Sequence, residues 1–424
     1  YQIEALSCFI FHIKQNAHER HLLFHMATGS GKTLIMAGAM LELYKLGYRN
    51  FIFFVQSTTI IKKTMDNFLK LNHSKFLFND SINIEGKNIH INKVSNFSFA
   101  KSNDLNIIFT TTQGLHSNIK NPSENSLTFE SFEDQKIVFI ADEAHHINAE
   151  TKESKTVKES RLTWESTITK LFNANSENYL LEYTATADLD HPEIKQKYYD
   201  KLIFDYPLKN FRNDQYSKEV KLFQADISHI DRAILAIIMS QYRLKVFEKN
   251  GINIKPVLLF KSKTIQESID FQKEFVSFIS QLESKNFKKV LSLISSEVFE
   301  KAQQFFKLNN ISLENLALEI KEDFSSNKCL SVNSKNDSEE KQRILNNLED
   351  ENNKFRAIFA VDQLNEGWDV LNLFDIVRLY NTRDADHKSG KIGKTTMQEA
   401  QLIGRGARYC PFSINDQDLF KRKY

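Results

Sequence analysis

Two successive α/β lobes with parallel sheets are the fold class this sequence predicts, and three observations predict it. Short apolar runs rich in Ile, Phe and Val recur at 22–24, 51–55, 106–109, 136–140 and 179–183. Each is apolar throughout rather than alternating, the pattern of parallel strands covered by helices on both faces. A second series of runs, at 256–260, 328–332, 355–361 and 374–380, implies a second sheet. Between the two series, over 207–228, the periodicity fades and charges mix, which marks a joint. The expected domains are therefore 1–206, a joint at 207–228, and 229–424. Within the latter, 280–327 has helical spacing (Phe299, Ala302, Phe305, Phe306) and interrupts the second sheet as an insertion. The polar stretch 117–135 reads as a surface loop before the fourth strand.

The first strand runs into Thr28-Gly29-Ser30-Gly31-Lys32-Thr33, followed by a helix-compatible segment at 34–46. Small residues let backbone N–H groups curl around a phosphate at a helix N-terminus, where the helix dipole favours negative charge. Lys32 would reach the β- and γ-phosphates of ATP, and the Thr33 hydroxyl would ligate Mg²⁺. Met26 stands where the strict motif has its first glycine. A second glycine-lysine run, 390–395, has the wrong glycine spacing and reads as an exposed loop.

The strand at 136–140 ends in Ala141-Asp142-Glu143-Ala144-His145-His146. An Asp at such a strand end can hold Mg²⁺ through its water shell, and an adjacent Glu can orient and deprotonate an attacking water. His145 would link the nucleotide site to the sheet. A zinc reading of His145 and His146 lacks further ligands at suitable spacing. His21 and His25 flank the first strand and read as structural.

Taken together, the phosphate loop and Asp142-Glu143-Ala144-His145 resemble motifs I and II of superfamily 2 helicases. That resemblance implies two tandem RecA-like domains with the ATP site in the cleft between them. Gln2 resembles the glutamine that reads adenine. Gln56 and Ser57 resemble motif Ia, and Thr111, Thr112 and Gln113 resemble motif Ib, both associated with the nucleic-acid backbone. Thr184-Ala185-Thr186 is similar to motif III, which couples hydrolysis to domain movement, and Phe260-Lys261-Ser262 sits where motif IV would be. Asn365-Glu366-Gly367-Trp368-Asp369 is similar to motif V, whose Gly367 and Asp369 would complete the nucleotide contact. Gln401 to Arg408 is similar to motif VI, with Gln401 in coupling and with Arg405 and Arg408 as fingers for the γ-phosphate. Two arginines three apart on one helix would point the same way.

The wording of these motifs is closest to the Res subunit of type III restriction enzymes. The resemblance implies an ATP-dependent DNA translocase or helicase, with duplex DNA contacted through its backbone and a modification methyltransferase subunit as partner. In that family a nuclease domain follows the motor. No matching acid-acid-lysine pattern assembles in this chain, so DNA cleavage is not expected of it. The start at Tyr1, inside a helix, reads as a piece of a longer protein. Two readings share part of the motif set: a stand-alone helicase of repair or phage defence, acting on DNA or RNA, and an ATP-gated switch. Glu143 and the two arginines are superfluous in a switch, which does not turn over ATP.

Bulk composition narrows the classes further. A formal net charge of +2 puts any nucleic-acid site in a local groove rather than in a global field. Cys8, Cys329 and Cys410 lack metal-ligand spacing and suit a reducing cytoplasm. No apolar run approaches the ~20 residues that span a bilayer.

Overall fold

Five parallel strands with apolar cores form where the continuous runs predict them, and they build the centre of a seven-stranded sheet. The computed structural model describes residues 1–15, 18–73, 75–79, 81–121, 127–144, 155–187, 189, 191–223, 226–294, 296–333, 339–361, 370–380 and 402–408. These fall into two units, Tyr1–Phe211 and a second that begins at Arg212. Among them no helix is long and apolar enough to cross a membrane.

The first unit opens with helix α1 (Gln2–Lys14), strand β1 (His21–Met26), α2 (Lys32–Lys45), β2 (Asn50–Val55) and α3 (Thr58–Leu69). A small antiparallel hairpin, β3 (Ile82–Ile84) and β4 (Lys87–Ile89), precedes β5 (Ile91–Lys93), β6 (Leu105–Thr111), α4 (Thr112–Lys120) and α5 (Glu130–Glu133). Then follow β7 (Ile137–Asp142), α6 (Lys155–Asn173), β8 (Tyr179–Thr184), α7 (Pro192–Tyr198), β9 (Leu202–Tyr206) and α8 (Leu208–Asn213). The sheet order is β5-β6-β2-β7-β8-β1-β9, with every pair parallel. Ile52, Phe54 and Phe139 are fully buried, and Phe24 stacks on Tyr183 at 4.7 Å, so the strands are covered as their apolar composition requires.

Two expectations change here. The stretch read as a loop holds the last turn of α4 and the short α5, and it buries Leu127 and Phe132. Polar composition hid a segment that is anchored by two apolar side chains. His21 and His25 lie within β1 rather than flanking it. Strand β9 escaped the sequence reading because its burial alternates, as on a sheet edge.

The second unit contains α9 (His229–Lys249), β10 (Val257–Lys261), α10 (Ile265–Ser280), α11 (Ser284–Ser292), α12 (Glu297–Leu308) and α13 (Leu313–Asp323). It continues with β11 (Cys329–Val332), α14 (Glu339–Asn346), β12 (Ala357–Ala360) and β13 (Leu373–Arg378). Its sheet has the order β11-β12-β10-β13 and is also parallel throughout. A capping box closes the start of α10: Thr264 accepts from the Glu267 amide and Glu267 from the Thr264 amide. Helices α11 to α13 belong to the main core, where Phe287, Phe306 and Ile320 join Phe260 and Phe275. Buried Arg356 fastens this helical layer to the sheet by donating to Asp323 at 2.8 Å, to the Pro256 carbonyl and to Ser240.

Candidate functional site

Because all seven strands of the first sheet run the same way, their carboxyl ends form one edge. Parallel α/β sheets bind ligands at that edge. Along it stand, in order, Thr111 on β6, Gln56 after β2, Asp142 on β7, Thr184 on β8 and the phosphate loop after β1. Register holds the ends level: Val55 pairs with Thr111, Asp142 with Tyr183, and Thr184 with His25. The loop thus lies two strand spacings from Asp142, roughly 10 Å.

Gly29 and Gly31 adopt φ of 81° and 85°, the left-handed region that glycine enters without a Cβ clash. Gly31 is the N-cap of α2, and no side chain caps that end, so the first helical N–H groups face the loop. The Ser30 hydroxyl is buried without a partner among the described residues. Unused donors and an orphaned hydroxyl around a helix start fit a phosphate chain. Lys32 rests against the Met26 carbonyl at 3.4 Å.

Helix α1 approaches α2 at Gly38, where a Cβ would lie 2.8 Å from both Leu6 methyl carbons. This contact sets Gln2 and Tyr1 against the phosphate loop. Gln2 Nε2 and the Tyr1 hydroxyl both donate to the Ser30 carbonyl, at 3.0 and 2.9 Å. Tyr1 stacks on Tyr206 at 4.5 Å and meets Phe211 edge-on. Sequence reasoning found Gln2 but not this aromatic pair, because Tyr206 and Phe211 come from a distant segment without a motif.

At the end of β7, Glu143 has a φ of 53°, a strained value for a residue with a side chain. Its amide donates to Asp142 Oδ1 at 2.9 Å. Burial, reinforced by the Asp142 charge, pushes the Tyr183 phenol far above its usual range. Among the described residues no group of three His, Cys, Asp or Glu side chains could hold a metal ion.

The other predicted residues are placed as follows. Thr184 is buried, and its hydroxyl accepts from the Thr186 amide at 3.3 Å. Thr111 caps α4 by accepting from the Gly114 amide at 2.9 Å. Thr112 is buried while Gln113 and Gln56 are exposed. His145, Gly367, Asp369 and Gln401, like the 390–395 run, lie outside the described residues.

In the second unit, 402–406 are helical among the described residues. Arg405 is buried on that helix, whereas Arg408 lies beyond it in an antiparallel bridge with Ser217. The expected single helix face for both arginines is therefore corrected: the chain leaves the helix at Ala407 and pairs with the segment from the joint. Burial holds the Arg408 guanidinium below its usual range, with Glu349 opposing the shift.

A glycine loop at a helix start and an acidic strand end on one sheet edge, with an arginine segment in the second unit, are the parts expected of an ATP-hydrolysing motor of the helicase class. Comparison with known proteins narrows this. The family model for the type III restriction enzyme Res subunit matches residues 1–189, and a second model, described as an N-terminal region, matches 395–424. A probable type III restriction-modification enzyme HindVIP Res subunit from Haemophilus influenzae is 37% identical over 434 residues, covering 93% of this chain and 84% of that protein. The chain belongs to the Res subunit family of type III restriction enzymes. In fold it is similar to the ATP-dependent type ISP restriction-modification enzyme LlaBIII bound to DNA, with TM-score 0.53 and 14% identity over 97% of this chain. A fragment assigned to an HsdR subunit of a type I restriction enzyme from Vibrio vulnificus gives 0.49 at 13% identity and 97% coverage. The chain spans 27% of the former and 61% of the latter.

Proposed function

We propose that this chain hydrolyses ATP with Mg²⁺ at the phosphate loop of its first unit and uses the cycle to move along duplex DNA. The observation that carries the reading is the shared carboxyl edge of the first sheet, where the loop follows β1 and the acid pair stands at the end of β7. Lys32 neutralises charge on the β- and γ-phosphates, while the uncapped amides at the start of α2 hold their oxygens. Gln2 contacts the adenine. Thr33 and Asp142 would hold Mg²⁺, which supplies charge neutralisation on the phosphates. Glu143 orients the attacking water and takes its proton as the bond to the γ-phosphorus forms and the bond to the bridging oxygen breaks. Arg405 and Arg408 stabilise the charge that moves onto the leaving oxygen, and Gly367 and Asp369 complete the nucleotide contact. Thr184, Thr186, His145 and Gln401 couple the cycle to movement.

DNA lies along the β6 and β2 end of the edge, at Gln56, Ser57 and the start of α4. Such contacts go to the phosphate backbone, so binding is salt-dependent and weakly selective for sequence. LlaBIII, which shares the fold, is described bound to DNA. A modification subunit supplies site recognition, in keeping with the restriction-modification family, and the setting is the reducing cytoplasm. The test is ATP hydrolysis without polymer and with duplex DNA, single-stranded DNA or RNA, with Lys32→Ala as control. Stimulation by duplex DNA that disappears in Lys32→Ala is expected. ATP binding without turnover under every condition would replace this reading with the switch.

A further inference from the structure

The segment that starts the second unit does more than link. Ser217 bridges Arg408, and the Lys218 amide donates to the Ala407 carbonyl at 2.7 Å. From there the Lys218 side chain turns inward. Its Nζ lies 2.6 Å from the Leu371 carbonyl, 2.8 Å from that of Leu373 and 3.1 Å from that of Gly406. An ammonium has three donors, and here three carbonyls take all of them. The ring of Phe374 lies 4.1 Å away and adds a cation–π contact.

Those carbonyls have different origins. Gly406 ends the helical turn that bears Arg405, a place where orphan carbonyls and the helix dipole favour a cation. Leu371 and Leu373 lead into β13, and the Leu371 amide is itself held by Glu349 at 2.7 Å. Gly406 brings the turn close: a Cβ there would sit 3.3 Å from Ile376 and 3.4 Å from Leu373. One side chain therefore sets where the turn stops relative to the sheet.

We propose that Lys218 is a positioning residue for ATP hydrolysis, fixing the Arg405–Arg408 segment against the start of β13 so that both guanidinium groups are pre-aimed. This rests on the reading of those arginines as γ-phosphate ligands. The Lys218 ammonium is spent on main-chain carbonyls, so its action passes through the arginines.

The experiment combines steady-state ATPase kinetics with amide hydrogen exchange on Lys218→Met, Arg405→Ala and the double variant. Displacing a charge-stabilising group by about an ångström can lower turnover on the order of 100-fold. Lys218→Met is thus expected to reduce kcat roughly 10- to 100-fold with KM for ATP nearly unchanged. In the Arg405→Ala background it should cost a smaller factor than in wild type, since one of the two groups it positions is gone. Exchange at the Ala407 and Arg408 amides should rise without ATP, while amides of β10 stay protected. A normal kcat in Lys218→Met, or the same fold loss in both backgrounds, overturns the proposal. Unchanged exchange at 407–408 overturns it as well, whatever the kinetics. Wild-type protein that hydrolyses no ATP would instead refute the nucleotide reading, and exchange would still decide whether Lys218 holds the segment. If Lys218→Met does not fold, Lys218→Gln, which keeps volume and two donors, is judged by the same criteria.

Discussion

The two units share a parallel sheet but hold their functional residues in different ways. In the first, Asp142, Thr184 and the phosphate loop stand at or beyond the ends of buried strands, so strand register alone fixes their spacing. In the second, Arg405 stands near a helix end and Arg408 in a bridge, where Lys218 and the segment from the joint contact the chain. Strand ends are rigid because interior packing is dense, whereas a helix end that runs into a bridge has to be tied down. The first unit carries its proposed site on strand ends, and the second holds its proposed arginines from outside their own element.

The largest effects should break this comparison at its chemical ends. Arg405→Ala is expected to lower kcat by about 10³–10⁵-fold, the range for arginine fingers in related phosphoryl transfer. Glu143→Gln should lower it by about 10²–10⁴-fold while ATP binding, measured by calorimetry, persists. Hydrolysis at the wild-type rate in Glu143→Gln would remove it from the water-activating role.

Next comes the tie between helices and sheet in the second unit. Asp323→Ala strands the buried Arg356 guanidinium, whose pKa burial already lowers, and should destabilise that unit by about 3–5 kcal/mol in urea melts. A first-unit transition shifted equally would show that the units do not unfold separately.

The first unit has its own buried ion, Glu182. Burial opposes its ionisation, but His21 at 3.1 Å, the Tyr198 hydroxyl at 2.5 Å and the charge of Lys197 together hold the carboxyl below its usual range. A depressed carboxylate stabilises above its unfolded pKa and loses that contribution as pH falls through the folded value. Stability of the first unit should therefore decline below the ordinary glutamate range, and Glu182→Gln should flatten that decline. At neutral pH the same change should remove about 1.5–3 kcal/mol, the range for hydrogen bonds to a charged group. An unchanged pH profile in circular-dichroism melts would exclude Glu182 as the cause.

The smallest effect sharpens the comparison in the second unit. Gly406→Ala places a Cβ 3.3 Å from Ile376, so a shift of a few tenths of an ångström and about 1 kcal/mol are expected. A loss of kcat larger than this stability change would show that the turn's position, not its stability, matters.

Much of this was legible in the residues. Runs such as 51–55 and 136–140 are too short and too apolar for anything but buried strands, and each became one. The small residues of the loop after the first strand pointed to a tight turn into a helix, and Gly29 and Gly31 make that turn with left-handed backbone. What the reading missed had partners rather than patterns. β9 sits on an edge and alternates, and 117–135 is polar yet pinned by Leu127 and Phe132. Arg405 and Arg408 looked like one helix face because spacing alone does not reveal where a helix ends.

By itself, then, the sequence determined the parallel α/β architecture, the phosphate loop and the acid pair, because these follow from periodicity and local backbone chemistry. Tertiary structure alone decided that Tyr1 and Gln2 meet the Ser30 carbonyl and that Lys218 reaches carbonyls at 371, 373 and 406. Those acceptors are main-chain oxygens, which every residue carries. No side-chain identity in the sequence marks them, and only the folded path brings them within reach of a donor.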